Sequence, residues 1–240
     1  MIGLGTIINT GAIAAGGLCG FCFGRLLTRR IQDTLNMACG VSVLFIGMAG
    51  ALPYMLPGAD RLAGGGTMLM VLSLALGGLL GELLDLEAKF DRFGEWLKQK
   101  SGNAGDSGFL HGFVTASLTV CIGAMAIVGA IQDGISGDWS TLGAKSVLDF
   151  LIVMVMTCSL GRGCIFSAVP VFLLEGSITL AASFLKPLFT AQALSYLSFV
   201  GSVLIFCVGI NLVWGKKVRV ANLLPAVLLA AAAAFLPIAF

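Results

Sequence analysis

The chain has 240 residues, of which 58% are apolar and 11% charged, with a mean hydropathy of +1.02. An ordinary soluble domain carries about 25% charged residues. Too little polar residue is left to clothe a core of this size, so a soluble globule and a disordered chain are both excluded. A net charge of +2, spread as short basic clusters beside apolar runs, gives no field for nucleic acid. What remains is a polytopic protein whose solvent is the lipid bilayer.

Crossing the hydrocarbon core takes about 20 apolar residues. In chain order, spans are predicted at Ile2–Gly24, Leu35–Leu52, Gly66–Leu84, Phe109–Ile131, Leu142–Leu160, Cys164–Phe184, Gln192–Trp214 and Val220–Pro237. The first has no basic residue ahead of it and arginines behind it, which predicts an uncleaved span with its N-terminus outside. The sixth carries Pro170 and Glu175. A re-entrant sixth segment would leave seven spans and put Lys216, Lys217 and Arg219 outside. With eight spans and both termini outside, Arg25, Arg29, Arg30, Lys89, Arg92, Lys98, Lys100, Arg162 and the Lys216–Arg219 cluster all face the cytoplasm. Only Arg61 and Lys186 then fall outside. The fold expected is all-α: one transmembrane bundle of eight helices over residues 1–240, built from repeated helical hairpins.

Between the third and fourth spans, Leu83, Leu86, Phe90, Phe93 and Leu97 recur at helical spacing with charges between them. Residues 82–100 therefore read as an amphipathic extension on the inner membrane surface or packed on neighbouring loops. Residues 101–108 read as a flexible linker. The repetition sits in the glycines. Gly5-Thr6 followed by Gly16, Gly17 and Gly20 recurs as Gly66-Thr67 followed by Gly77, Gly78 and Gly81. That makes residues 1–60 and 61–140 candidate parallel repeats. Gly16, Gly20 and Gly24 line one helix face, as do Gly77 and Gly81. Such faces let a second helix approach closely, and they leave room for a homo-oligomer.

Chemistry-bearing residues are few. Cys19 and Cys22 form a lone CxxC inside a glycine-rich apolar run, so they read as packing residues. One histidine, His111, does not make a metal site, and no cofactor motif is present. No GxSxG, HExxH or Walker loop occurs either, so no enzyme is expected. The sharper signal is charge inside spans, which costs about 2.5–3.5 kcal/mol per residue on insertion scales. Asp149 lies near the centre of the fifth span and Glu175 near the centre of the sixth, and Lys145 precedes Asp149 by four residues on the same face. A structural reading makes Lys145 and Asp149 a register-fixing pair; a functional one makes the carboxyls carriers of a proton or a cation. Asn9, Gln132, Asp133 and Asn211 are candidate polar liners of a path, or else helix–helix hydrogen bonds.

Several of these segments resemble a bacterial integral-membrane family catalogued as domain of unknown function 554. They are Gly5-Thr6-Ile7-Ile8-Asn9-Thr10, the run Cys121–Gly134, Lys145-Ser146-Val147-Leu148-Asp149, Gly176-Ser177-Ile178-Thr179-Leu180, Gly209-Ile210-Asn211-Leu212 and Asn222-Leu223-Leu224-Pro225. The resemblance covers the whole chain and implies a bacterial inner-membrane protein. It supplies no substrate, reaction or site to carry over. Lys145 and Asp149 fit its pattern, while Glu175 stands where the pattern has glutamine. The expectation is a transporter or channel for a small solute or ion, built around Lys145, Asp149 and Glu175. The alternative is a non-transporting scaffold or regulatory partner of another complex.

Overall fold

A computed structural model describes residues 1–24, 26, 28–56, 66–100, 102, 108–121, 124–182 and 190–235. Among them are ten α-helices and no strand: α1 (Leu4–Gly24), α2 (Arg29–Met55), α3 (Gly66–Leu84), α4 (Leu86–Lys100), α5 (Phe109–Cys121), α6 (Ala124–Ser136), α7 (Ser140–Leu160), α8 (Ala168–Leu180), α9 (Ala191–Trp214) and α10 (Val220–Ala233). A 3-10 helix, Arg162–Ser167, leads into α8. Pro170 explains that entry, since it has no N–H to extend an α-type ladder back to residue 166.

Small residues set the packing. A methyl on Gly16 or Gly20 would strike the backbone of Phe150 or Met154, and one on Gly24 would meet Cys158. The three contacts advance together, so α1 lies parallel to α7 at backbone contact. α8 runs the other way along α1. Arg162 sits over the Phe21 ring at 4.7 Å, Ile165 packs on Gly17, Glu175 meets Asn9 and Thr179 meets Thr6. The sixth segment therefore returns along the whole of α1, which is not a re-entrant course. α2 and α9 are antiparallel, from Gly40 against Leu212 to Tyr54 against Phe199, whose rings lie 5.4 Å apart. α3 and α10 are also antiparallel, with Gly77 on Ala226 and Gly81 on Asn222. The two glycine motifs thus receive partners of opposite direction.

Four expectations meet a different structure. The fourth span is two helices, α5 and α6, meeting at 63° rather than one rod. Five helices are long and apolar enough to cross a bilayer, six if the bent pair is one span. The apolar part of α2, Gly40–Met55, and the 14-residue α10 are shorter. At about 1.5 Å per residue α10 reaches only about 21 Å. The amphipathic stretch does not continue α3, because Asp85 breaks the chain with φ 48°. It then turns α4 onto α5, where Phe90 stacks on Phe113 and Phe93 meets the same ring at a tilt, each with centroids 6.0 Å apart. Apart from Gly102 and Gly108, the linker over 101–108 lies outside the described residues, as do Arg61, Lys186 and the predicted ends at Phe184 and Pro237.

Candidate functional site

The site begins on α7. Lys145 and Asp149, one turn apart, form a buried ion pair. The ammonium also donates to the Val120 carbonyl at 2.9 Å. That carbonyl lies in the last turn of α5, where a helix leaves carbonyls without intrahelical donors and turns its negative dipole end outward. The break between α5 and α6 thereby supplies an acceptor for the cation. Glu175 of α8 is the third charge, with Oε1 3.7 Å from the ammonium, an ion pair beyond hydrogen-bond reach. Glu175 is 0% exposed, as is Asn9 of α1, whose Nδ2 donates to Glu175 Oε1 at 2.8 Å. The Asn9 amide also lies beside Asp149, and the Cys121 thiol is within electrostatic reach of all three charges. Four helices, α1, α5, α7 and α8, thus converge on one ammonium, two carboxyls and one amide.

The hydrogen bonding of this cluster is incomplete. Asn9 Oδ1 and Glu175 Oε2 are buried without a hydrogen-bond partner, as are the hydroxyls of Thr10 and Ser117. Such groups are rare in folded proteins because each costs the desolvation of a polar atom, about 1–3 kcal/mol.

Polar groups continue from the cluster in both directions. One turn along α1 and α8, the Thr6 and Thr179 hydroxyls share a hydrogen bond of 3.2 Å. Beyond them Asp133 closes that end. Its carboxylate accepts from the backbone N–H groups of Gly3, Gly5 and Thr6 at 3.2, 2.9 and 3.4 Å, capping the N-terminus of α1 from another helix. Gln132 Oε1 accepts from the Thr141 hydroxyl at 2.7 Å, tying α6 to α7. On the other side a cavity of about 220 Å³ runs along α5 as far as Thr115 and Leu118. Its lining includes Glu87, His111, Asn211 and Lys216. Leu118 is the sequence neighbour of Ser117 and half a turn from Val120.

Side chains at the cavity end are well paired. Asn211 accepts from Lys217 N and Val218 N and donates to the Val218 carbonyl, so it moulds the turn between α9 and α10. Lys216 pairs with Glu87 at 2.5 Å, and Arg219 with Glu82. Asn222 bridges Glu82 Oε2 and the Glu87 N–H, each at 2.7 Å, which pins α10 across the kink at Asp85.

Of the seven path candidates, Asn9, Lys145, Asp149 and Glu175 are brought together. Gln132, Asp133 and Asn211 stand at the two ends and hold helix termini. Two participants escaped the sequence reading. Thr179 is four residues from Glu175, so a shared helix face was the available signal. The Val120 carbonyl has no side-chain signal. Glu82 and Glu87 look like solvated acids at a span end, and only Arg219 and Asn222, three apart, hint at their partners. Among the described residues, no group of three His, Cys, Asp or Glu side chains is placed to hold a metal ion.

Long apolar helices packed through glycines around a buried charged centre define a polytopic helical membrane protein. The likeness extends to known sequences along its whole length. The chain belongs to the family described as "Protein of unknown function (DUF554)", whose model matches residues 4–235. It is 31% identical over 225 residues to "Uncharacterized membrane protein YdfK" of Bacillus subtilis (strain 168), covering 94% of this chain and 93% of that protein. It is 30% identical over 234 residues to "Uncharacterized protein YqgA" of Escherichia coli (strain K12), covering 95% and 94%. No solved structure matches it.

Proposed function

We propose that this membrane protein carries a small solute or ion across a bacterial inner membrane, with Asn9, Lys145, Asp149 and Glu175 as the ion-handling centre and no enzymatic role. The observation that carries the reading is the meeting of three buried charges and an amide at the end of a broken helix. Stability does not call for such a cluster. A buried ion pair is commonly no more stabilising than apolar residues of the same volume, and charges in a bilayer are costly. Broken helices whose freed carbonyls face an ion are the recurrent way transporters build a binding site near the bilayer centre. The cavity on one side and the Thr6–Thr179 and Asp133 layers on the other give the centre polar surroundings in both directions. Lys89, Arg92, Lys216, Lys217 and Arg219 stand in the segments that bound the cavity, which supports a cytoplasmic cavity side, and an even number of crossings would then put both termini outside.

The test is flux. Purified protein in proteoliposomes should dissipate an imposed H⁺, Na⁺ or K⁺ gradient, and Asp149→Asn should abolish this while the unfolding transition in detergent stays in place. Wild-type flux from Asp149→Asn sinks the proposed centre. A second reading, a non-transporting scaffold or a homo-oligomer, draws on α3, which packs mainly on α10 and leaves Met68, Val71, Leu76, Leu79 and Leu83 exposed. A partner that co-purifies with protein inactive in every gradient would favour it.

A further inference from the structure

Charge arithmetic at the centre does not close. Lys145 is one cation, held by Asp149 and the Val120 carbonyl. Glu175 keeps only a 3.7 Å ion pair and one amide hydrogen bond on Oε1, while Oε2 has no partner. One negative charge therefore remains in a fully buried site, where an uncompensated carboxylate is strongly disfavoured. The other buried acids differ. Asp133 is met by three N–H groups, and Glu87 has Lys216. Among the described buried acids, Glu175 alone has a fully buried oxygen without a hydrogen-bond partner.

A second shortage stands beside the first. Asn9 presents its Nδ2 to Glu175 Oε1 and has no donor for its own Oδ1. The amide and the carboxyl thus each hold one unused acceptor, and no donor among the described residues is bonded to either. A single proton on Glu175 Oε2 removes the excess charge and supplies the missing donor. A carboxylic acid facing a primary amide can then close a ring of two hydrogen bonds, Nδ2–H to Oε1 and Oε2–H to Oδ1. We propose that Glu175 is the proton-binding group of this protein: it takes one proton per chain on Oε2, held by Asn9, while Lys145 stays bound to Asp149. This rests on the transport reading for its purpose, since a proton that loads and leaves makes H⁺ the transported or coupling ion. The groups that face Glu175 are Asn9 on α1, Lys145 and Asp149 on α7, and Cys121 on α5. In the next layers stand Thr6, Thr179 and Asp133, together with Ser117 on α5. Lys145 is the one cation among them, and it is engaged.

Infrared spectroscopy of the full-length protein in lipid reads protonated carboxyl groups directly. At neutral pH, where exposed acids are ionised, the wild type should show a carboxylic C=O band equivalent to one group per chain. Carbon-13 labelling of glutamate carboxyls should shift it, and labelling of aspartate should not. Glu175→Gln, which keeps shape and packing, should lose the band. Lys145→Met should double it, because Asp149 then needs a proton too, and the added half should follow the aspartate label. Absence of the band from the wild type, a band that follows aspartate, or one that survives Glu175→Gln overturns the proposal, and the first two need no variant to fold. Flux without this band leaves the transport reading intact and removes the proton from it. The band without flux in any gradient removes transport and leaves the proton on Glu175.

Discussion

The sharpest energetic consequence of the centre is an asymmetry between its two paired residues. Lys145→Met removes the only cation beside two carboxyls and strips the Val120 carbonyl of its 2.9 Å donor. Breaking a buried ion pair from one side costs about 3–5 kcal/mol, and an orphaned buried carbonyl adds about 1–3 kcal/mol. Partners available in the unfolded but membrane-inserted chain cut into both figures. A net loss of about 3–5 kcal/mol is therefore expected for Lys145→Met. Asp149→Leu should cost clearly less, because Glu175 already stands 3.7 Å from the ammonium and can take it over with a small rotation. In the double variant Lys145→Met/Asp149→Leu the pair leaves together, the Val120 carbonyl alone is orphaned, and about 2 kcal/mol of the single-variant loss should return. Equilibrium unfolding of all four proteins in mixed micelles, arranged as a double-mutant cycle, measures these differences. Equal losses from the two single variants, or a double variant no better than Lys145→Met, would refute the account of Lys145 as a cation shared unequally between two acids.

The remaining predictions concern packing and helix ends. Gly20→Ala should destabilise by about 1–3 kcal/mol, since its methyl would strike the Met154 backbone on α7. Gly11→Ala, on the same helix with nothing within 4 Å of the added carbon, should be neutral or slightly stabilising. Thermal unfolding of the two in one detergent separates close approach from helix propensity. Asp133→Ala leaves three N–H groups of the α1 terminus without their acceptor and should cost about 2 kcal/mol, visible as faster hydrogen exchange at Gly5 and Thr6. Asp138, exposed before α7, is held below the usual carboxylate range by the Ser140 backbone N–H and then by its hydroxyl. Its folded value is the lower one, so its contribution is present above the ordinary aspartate range and fades as pH falls through the folded value. Ser140→Ala keeps the backbone donor and should move the NMR titration of Asp138 only part of the way back.

How much of this was legible beforehand depends on the kind of signal. Membrane residence, the ends of most spans and the Lys145–Asp149 pair follow from composition and from spacing within one helix. The meeting of that pair with Asn9 and Glu175 does not, because it depends on which helices touch. α1 lies parallel to α7 and antiparallel to α8, and no local pattern states that. The interruption of the fourth span was hidden for a related reason. Cys121–Gly129 is apolar throughout, and hydropathy is blind to whether a helix is continuous. A polar residue at a span end looks the same whether it faces a cavity or caps a neighbour's backbone: Asp133 caps α1, while Asn211 both lines the cavity and holds the turn after α9. The glycine motifs lie where helices approach closely. Their likeness did not extend to partner direction, since α7 follows α1 while α10 opposes α3.

Polar residues in this bundle fall into two groups by how completely they are bonded. Asp133, Asn211 and Asn222 sit at helix ends and use both side-chain polar atoms on partners from other segments. Removing them costs stability and nothing else needs to change. At the centre, Asn9 and Glu175 each leave one atom unused, although both are as fully buried as Asp133 and an unmet group is costly there. A cluster selected for rigidity would close such gaps, with a glutamine at 175 or a second cation. One whose occupancy changes during a cycle has to leave them, because a site fully satisfied by its own side chains has no affinity left for anything that comes and goes. The under-bonded pair and the neighbouring break between α5 and α6 are therefore one feature: the break gives Lys145 its second acceptor, Val120, and so holds it on Asp149, and Glu175 stays available.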